Sequence, residues 1–127
     1  MNFEVMTAPS LYAFYGSLRR GMRLYNQFHC TLQYHHSAWL KGYELYSLGN
    51  YPYAVKLAIP DRKILVEIFS ITEPEVEKEI FDLEVGAGYH LAQQTFDDRV
   101  INIFLYDDAP ANNMRVDSGD WVTFFRQ

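Results

Sequence analysis

Cysteine is almost missing from this 127-residue chain: Cys30 stands alone, so no intrachain disulfide can form and a reducing compartment is the simplest setting. No stretch approaches the roughly eighteen consecutive apolar residues that a membrane-spanning helix needs. The start, Met1-Asn2-Phe3-Glu4-Val5, lacks the basic residues and apolar run of a secretory signal, so a cytoplasmic location is expected. Basic residues are also scarce. Eleven Lys and Arg stand against sixteen Asp and Glu, for a formal net charge of -5. A phosphate backbone would be repelled unless the basic residues gathered on one face, and Arg19-Arg20 is too short for that. Neither nucleic acid nor a membrane is therefore an expected partner, and the oligomeric state is left open. Glycine and proline occur singly, as turn punctuation, with no repeat, linker or low-complexity tract, so residues 1–127 are expected to form a single domain.

What the chain does have is apolar and aromatic bulk: 49% hydrophobic residues, with ten Tyr and nine Phe, far from the composition of a disordered chain. Leu11-Tyr12-Ala13-Phe14-Tyr15 suits a buried strand that stops at Gly16-Ser17, and a helix is expected from Leu18 to His29. Alternating patterns predict strands over Trp39–Leu48 and Tyr53–Ile59, separated by the turn Gly49-Asn50-Tyr51-Pro52. Ile64–Ile71 is a stronger strand, with Ile64, Val66 and Ile68 on one face and Leu65, Glu67, Phe69 and Ile71 on the other. Glu67 is then a carboxylate among apolar neighbours, and accepting hydrogen bonds from a nearby loop outweighs a catalytic role for it. Thr72 and Glu75 stand in capping-box spacing, with Pro74 in the first turn and Gly86 and Gly88 marking the helix end. Strands near Ala92–Phe96 and Val100–Tyr106, a polar loop and a closing segment around Trp121–Phe125 complete an α+β pattern.

The helix from Glu73 to Glu84 can be laid out at about 100° per residue. With Val76 at zero, Ile80 falls at about 40° and Leu83 at about 340°, a narrow apolar stripe that should face the core. Glu84 lies at about 80°, beside the stripe, whereas Asp82 lies at about 240° and points to solvent. Partial loss of solvation would raise the pKa of Glu84 and make it a better general base. Taken alone, this geometry fits a surface glutamate at a frayed helix end more often than a catalytic one.

Five colinear segments carry a resemblance. These are Tyr12 to Gly21, with its Tyr15-Gly16-Ser17-Leu18 core; Gly42 to Pro52; Val66 to Ile71; Ile80 to Tyr89, containing Leu83-Glu84; and Ser118-Gly119-Asp120-Trp121. In order and spacing the chain resembles the gamma-glutamyl cyclotransferase-like family. The resemblance implies a small mixed β-barrel flanked by helices, with Glu84 as catalytic acid/base. It also implies that the Tyr15, Gly16, Ser17 and Leu18 loop holds a gamma-glutamyl group, with Tyr89 beside it. The implied reaction cyclises a small-molecule gamma-glutamyl amine or peptide to 5-oxoproline and frees the amine, with no metal or organic cofactor. Phe81 stands where the family usually has Asp, and Val66 where it usually has Gly. These departures motivate an alternative, a non-catalytic module that binds a small ligand or partner in the same pocket. Recognition of the leaving group is expected from a variable loop such as Asp107–Met114.

His29, Cys30, His35 and His36 cluster in sequence, but without the paired spacing of strong metal motifs, and are read as a buried thiol with surface histidines. Gly16-Ser17 with Arg19-Arg20 lacks the further glycines and the lysine of a phosphate loop.

Overall fold

The computed structural model describes residues 9–109 and 112–126. Met1–Val5, on which the reading of the N-terminus rests, and positions 110 and 111 of the polar loop lie outside the described residues. The elements are β1 (Ser10–Phe14), α1 (Arg23–Phe28), a 3-10 turn (His29–Thr31), β2 (Leu32–Lys41), β3 (Tyr43–Ser47) and β4 (Pro52–Lys56). They continue with β5 (Lys63–Ile71), α2 (Pro74–Gly86), β6 (His90–Phe96), β7 (Arg99–Leu105), β8 (Met114–Arg115) and α3 (Trp121–Phe125).

The strands form two sheets. One has the order β2-β5-β1-β7-β6, with β1 antiparallel to β5 and parallel to β7; the other has the order β4-β3-β8. The α+β class is as expected, but the strands do not close into a barrel, because β2 and β6 remain as the outer edges of the larger sheet. The alternation read from β5 decides the packing. Ile64, Val66 and Ile68 join Ala13, Ile101, Ile103, the smaller sheet and Trp121 in one core. Phe69 and Ile71 join Tyr12, Phe14, Phe104 and Ile80 of α2 in a second core on the opposite face. Each face thus buries an apolar layer, one against a sheet and one against a helix.

Four expectations are corrected. The strand foreseen from Trp39 to Leu48 is split at Gly42, whose φ of +89° breaks the extended run and sends β2 and β3 into different sheets. Helix α1 starts at Arg23 rather than Leu18, because residues 16–22 are spent on two tight turns, Arg19 N–H to Gly16 O at 2.9 Å and Met22 N–H to Arg19 O at 3.0 Å. The capping box of α2 does not form: Glu73 is the N-cap and makes no side-chain cap bond, while Pro74 opens the helix. Cys30 is exposed rather than buried.

Candidate active site

Central strand β1 runs between β5 and β7 and ends at Phe14, from which Tyr15-Gly16-Ser17-Leu18 leaves the sheet. Buried Glu67 holds the two arginines that come next. In the β1–β5 register Phe14 stands opposite Glu67. The carboxylate of Glu67 accepts from Arg19 Nε at 3.0 Å, from the backbone N–H of Arg20 at 2.9 Å and from Arg20 Nε at 3.0 Å. Arg19, itself buried, continues to Asp120 at 2.8 Å. Asp120 caps α3 through Thr123; burial alone would raise its pKa, but the bonds from Arg19 and Thr123 outweigh that and hold it low. A buried charge is tolerable only when paired and hydrogen-bonded, and this chain of ions meets that condition while pinning the loop to β5 and α3. Glu67 therefore takes the structural role read from its place in the strand.

The second wall comes from the end of α2. Tyr89 N–H donates to Glu84 O at 3.1 Å and Gly88 N–H to Val85 O at 3.0 Å, the paired bonds of a Schellman ending, with Gly88 at φ +101° in the left-handed position. This ending ties Glu84 and Tyr89 together across five residues and directs both toward the loop. Val76 and Ile80 of the apolar stripe pack into the aromatic core, but Leu83 is 45% exposed. The stripe is therefore split: its last member faces a cavity instead of the core. Asp82 points to solvent and pairs with Lys78 at 2.7 Å.

Between loop and helix end lies a cavity of about 270 Å³. All six residues singled out in the sequence line it: Tyr15, Gly16, Ser17, Leu18, Glu84 and Tyr89. Burial pushes the Glu84 carboxyl up from the ordinary 4.5 to about 7. Among the described residues the backbone N–H groups of Gly16, Ser17 and Leu18 donate to no protein acceptor, which leaves them free for a ligand. Because α1 begins five residues beyond Leu18, these donors belong to a tight loop, and the helix entry foreseen for them is not there.

Both tyrosine hydroxyls are committed. Tyr15 donates to Phe104 O at 2.5 Å and accepts from Ala54 N–H at 3.1 Å, and Tyr89 donates to Pro52 O. Burial raises the pKa of each above the usual tyrosine range. They act as walls and braces, since neither has a proton left to offer. Gly16 is explained by Pro52: a Cβ at Gly16 would lie 2.8 Å from the proline ring. Behind the cavity Tyr46, Tyr53 and Tyr106 stack in succession and Tyr89 meets Tyr106 at a tilt of 59°, with centroid distances of 5.4, 4.5 and 4.8 Å, a backing of amphipathic rings.

Val66 and Phe81, the two departures, line no part of this cavity. Val66 is fully buried in the core beneath the smaller sheet, and Phe81 rests 6.4 Å from the ring of Phe104. Sequence reading missed Arg23, the cationic side chain lining the cavity, because it lay inside a stretch read for core contacts. His29 and Cys30 sit in the 3-10 turn and His35 contacts Ser70 at 2.9 Å. Among the described residues, no three His, Cys, Asp or Glu come together as a metal site.

The family model for gamma-glutamyl cyclotransferase, AIG2-like, matches residues 12–123. An uncharacterised protein of Pyrococcus horikoshii is 28% identical, with a TM-score of 0.76 and coverage of 91% of this chain and 92% of that one. An AIG2-like protein of mouse (Mus musculus) is 16% identical, with a TM-score of 0.57 over 81% of this chain and 79% of that one. The fold also occurs within a larger enzyme, the allophanate hydrolase of Kluyveromyces lactis, at 14% identity and a TM-score of 0.76, covering 98% of this chain and 22% of that one. The last two likenesses are of fold alone, which by itself does not fix a reaction. No curated protein matches the sequence. With the family model matched from β1 into α3, the chain belongs to the gamma-glutamyl cyclotransferase, AIG2-like family.

Proposed function

We propose that the protein cyclises a gamma-glutamyl amide to 5-oxoproline, with Glu84 as the general acid/base. The observation that carries this reading is a desolvated carboxylate, with its pKa pushed up to about 7, sharing one cavity with the free N–H groups of Gly16, Ser17 and Leu18. A base is most effective when its pKa lies near the working pH, and burial puts Glu84 there.

The reaction needs no external nucleophile. The substrate's own α-amine, once Glu84 has taken its proton, attacks the side-chain carbonyl carbon; a new C–N bond closes the five-membered lactam. As the amide C–N bond breaks, Glu84 returns the proton to the departing nitrogen, and the second proton still carried by the ring nitrogen passes through the same carboxylate to the freed amine, which leaves as an ammonium ion. Charge that develops on the carbonyl oxygen is stabilised by the loop N–H groups, which are fixed by the Glu67 network before substrate arrives. Arg23 supplies positive charge for the α-carboxylate of the gamma-glutamyl group. The rigid walls of Tyr15 and Tyr89 favour a folded, ring-closing conformer, which is where most of the rate advantage of an intramolecular step arises. The lone thiol, Cys30, is suited to a reducing cytoplasm.

The test is a panel of gamma-glutamyl amines, amino acids and peptides, scored for 5-oxoproline together with the free amine. Turnover of at least one with equal amounts of both products is expected. A panel without turnover overturns the reading.

A further inference from the structure

The cavity that holds Glu84 adjoins a second, larger one. Ser17, Arg23 and Tyr51 line both, and the outer cleft, of about 620 Å³, is completed by walls that include Gly21, Asn50, Phe125 and Arg126. Its charged lining residues are two arginines, with no carboxylate, in a chain whose formal net charge is -5. Among the described residues neither Arg23 nor Arg126 forms an ion pair. The basic character of the cleft is therefore left unneutralised by the described side chains.

Arg126 is also placed. Its Nη2 reaches Gly21 O at 3.4 Å, and a Cβ on Gly21 would lie 2.9 Å from that same nitrogen. Gly21, at φ +83°, takes a left-handed position in the loop that continues from Gly16-Ser17-Leu18, and its carbonyl accepts from the guanidinium. From the other side α3 carries Arg126 at its end, anchored by fully buried Trp121 and by the Asp120 cap. The half-exposed rings of Tyr51 and Phe125 flank the cleft with apolar surface.

We propose that this outer cleft receives the leaving-amine half of the substrate, and that Arg126 selects amines bearing a carboxylate, while Arg23 at the shared rim stays with the α-carboxylate of the gamma-glutamyl half. The ligand class is an amino acid or short peptide, preferred over a neutral alkylamine. The inference rests on the cyclotransferase reading. If the gamma-glutamyl half lies against Glu84, the bond being broken must direct the other half past Ser17 into this cleft. A guanidinium recognises a carboxylate through parallel, charge-assisted hydrogen bonds, and the aromatic rings cover the carbon chain between the two ends. The described residues of the Asp107–Met114 loop, from which leaving-group recognition was expected, line neither cavity.

The experiment compares a gamma-glutamyl amino acid with the same compound carrying a carboxamide in place of its terminal carboxylate. The readout is the ratio of kcat/KM for 5-oxoproline release. A preference of roughly tenfold or more for the carboxylate is expected, the size of one charge-assisted contact, shrinking as salt is raised. Arg126→Gln should bring the ratio near one, and Arg126→Lys should keep part of it. Because the ratio is internal, poor folding of a variant lowers both rates alike, and the wild-type ratio with its salt dependence stands without any variant. Equal turnover of the two compounds by the wild type, or an unchanged ratio in Arg126→Gln, overturns the subsite and leaves the cyclotransferase reading standing. Absence of 5-oxoproline from both compounds, and from the wider panel, removes both.

Discussion

In the proposed reaction Glu84 serves chemistry at the expense of stability. Its carboxyl has an ordinary pKa of 4.5 and rises to about 7 in the fold through burial. Between those values the folded chain holds a proton that the unfolded chain has released. Stability contributed by this group is therefore greatest at low pH, falls as pH rises from 4.5 to 7, and stays low above that. The difference is on the order of 3 kcal/mol, since each pKa unit is about 1.4 kcal/mol. Glu84→Gln should remove this dependence, so that thermal melts of variant and wild type, compared at pH 5 and pH 8, diverge in the variant's favour at the higher pH. In the same pH window kcat/KM of the wild type should fall on the acid side of about 7, as the base becomes protonated. Tyr89→Phe tests a different role. Its hydroxyl braces Pro52 O, so the variant should lose about 1 to 2 kcal/mol in urea unfolding and keep measurable turnover.

At the scale of elements, two devices bring the site together. The first is the Schellman end of α2. Gly88→Ala would place a side chain at φ +101° and a Cβ 3.2 Å from the Tyr106 hydroxyl, so a loss of about 1 to 3 kcal/mol is expected, with reduced turnover because Glu84 and Tyr89 shift together. The second is the buried Glu67 pairing. Glu67→Gln leaves Arg19 only partly compensated and should cost about 3 kcal/mol, read from the urea midpoint. These elements were unequally legible in the sequence. Alternation in β5 and the spacing in α2 reported burial directly, so Val66 went to one core and Phe69 to the other, and Glu84 rather than Asp82 turned inward. The short α1 was overread at its start: Gly21, at φ +83°, is a local sign of a turn, while the hold of Glu67 on Arg19 and Arg20, which fixes residues 16–22 in turns, is a tertiary effect that no local pattern carries. The break at Gly42 has a local cause, but choosing between a bend and a change of sheet depends on partners distant in sequence.

For the molecule as a whole, what sequence conveyed best was the ordered set of segments. It pointed to the family and named six residues that the fold gathers around one cavity, although they come from two stretches some 65 positions apart. What it could not convey was shape. The division of the strands into two open sheets, the press of Pro52 on Gly16 and the cleft beside the cavity that reaches Arg126 all arise from packing between distant parts of the chain. The two departures that favoured a non-catalytic module, Val66 and Phe81, lie apart from the cavity walls, and so the motive for that alternative is weaker at the level of the whole fold. The most direct test of the account is the rate of 5-oxoproline formation from a turned-over gamma-glutamyl amide at pH 8, measured for wild type and for Glu84→Gln. The account predicts a loss of at least about a hundredfold in kcat for a variant that melts no lower than wild type; a Glu84→Gln protein as active as the wild type would contradict it.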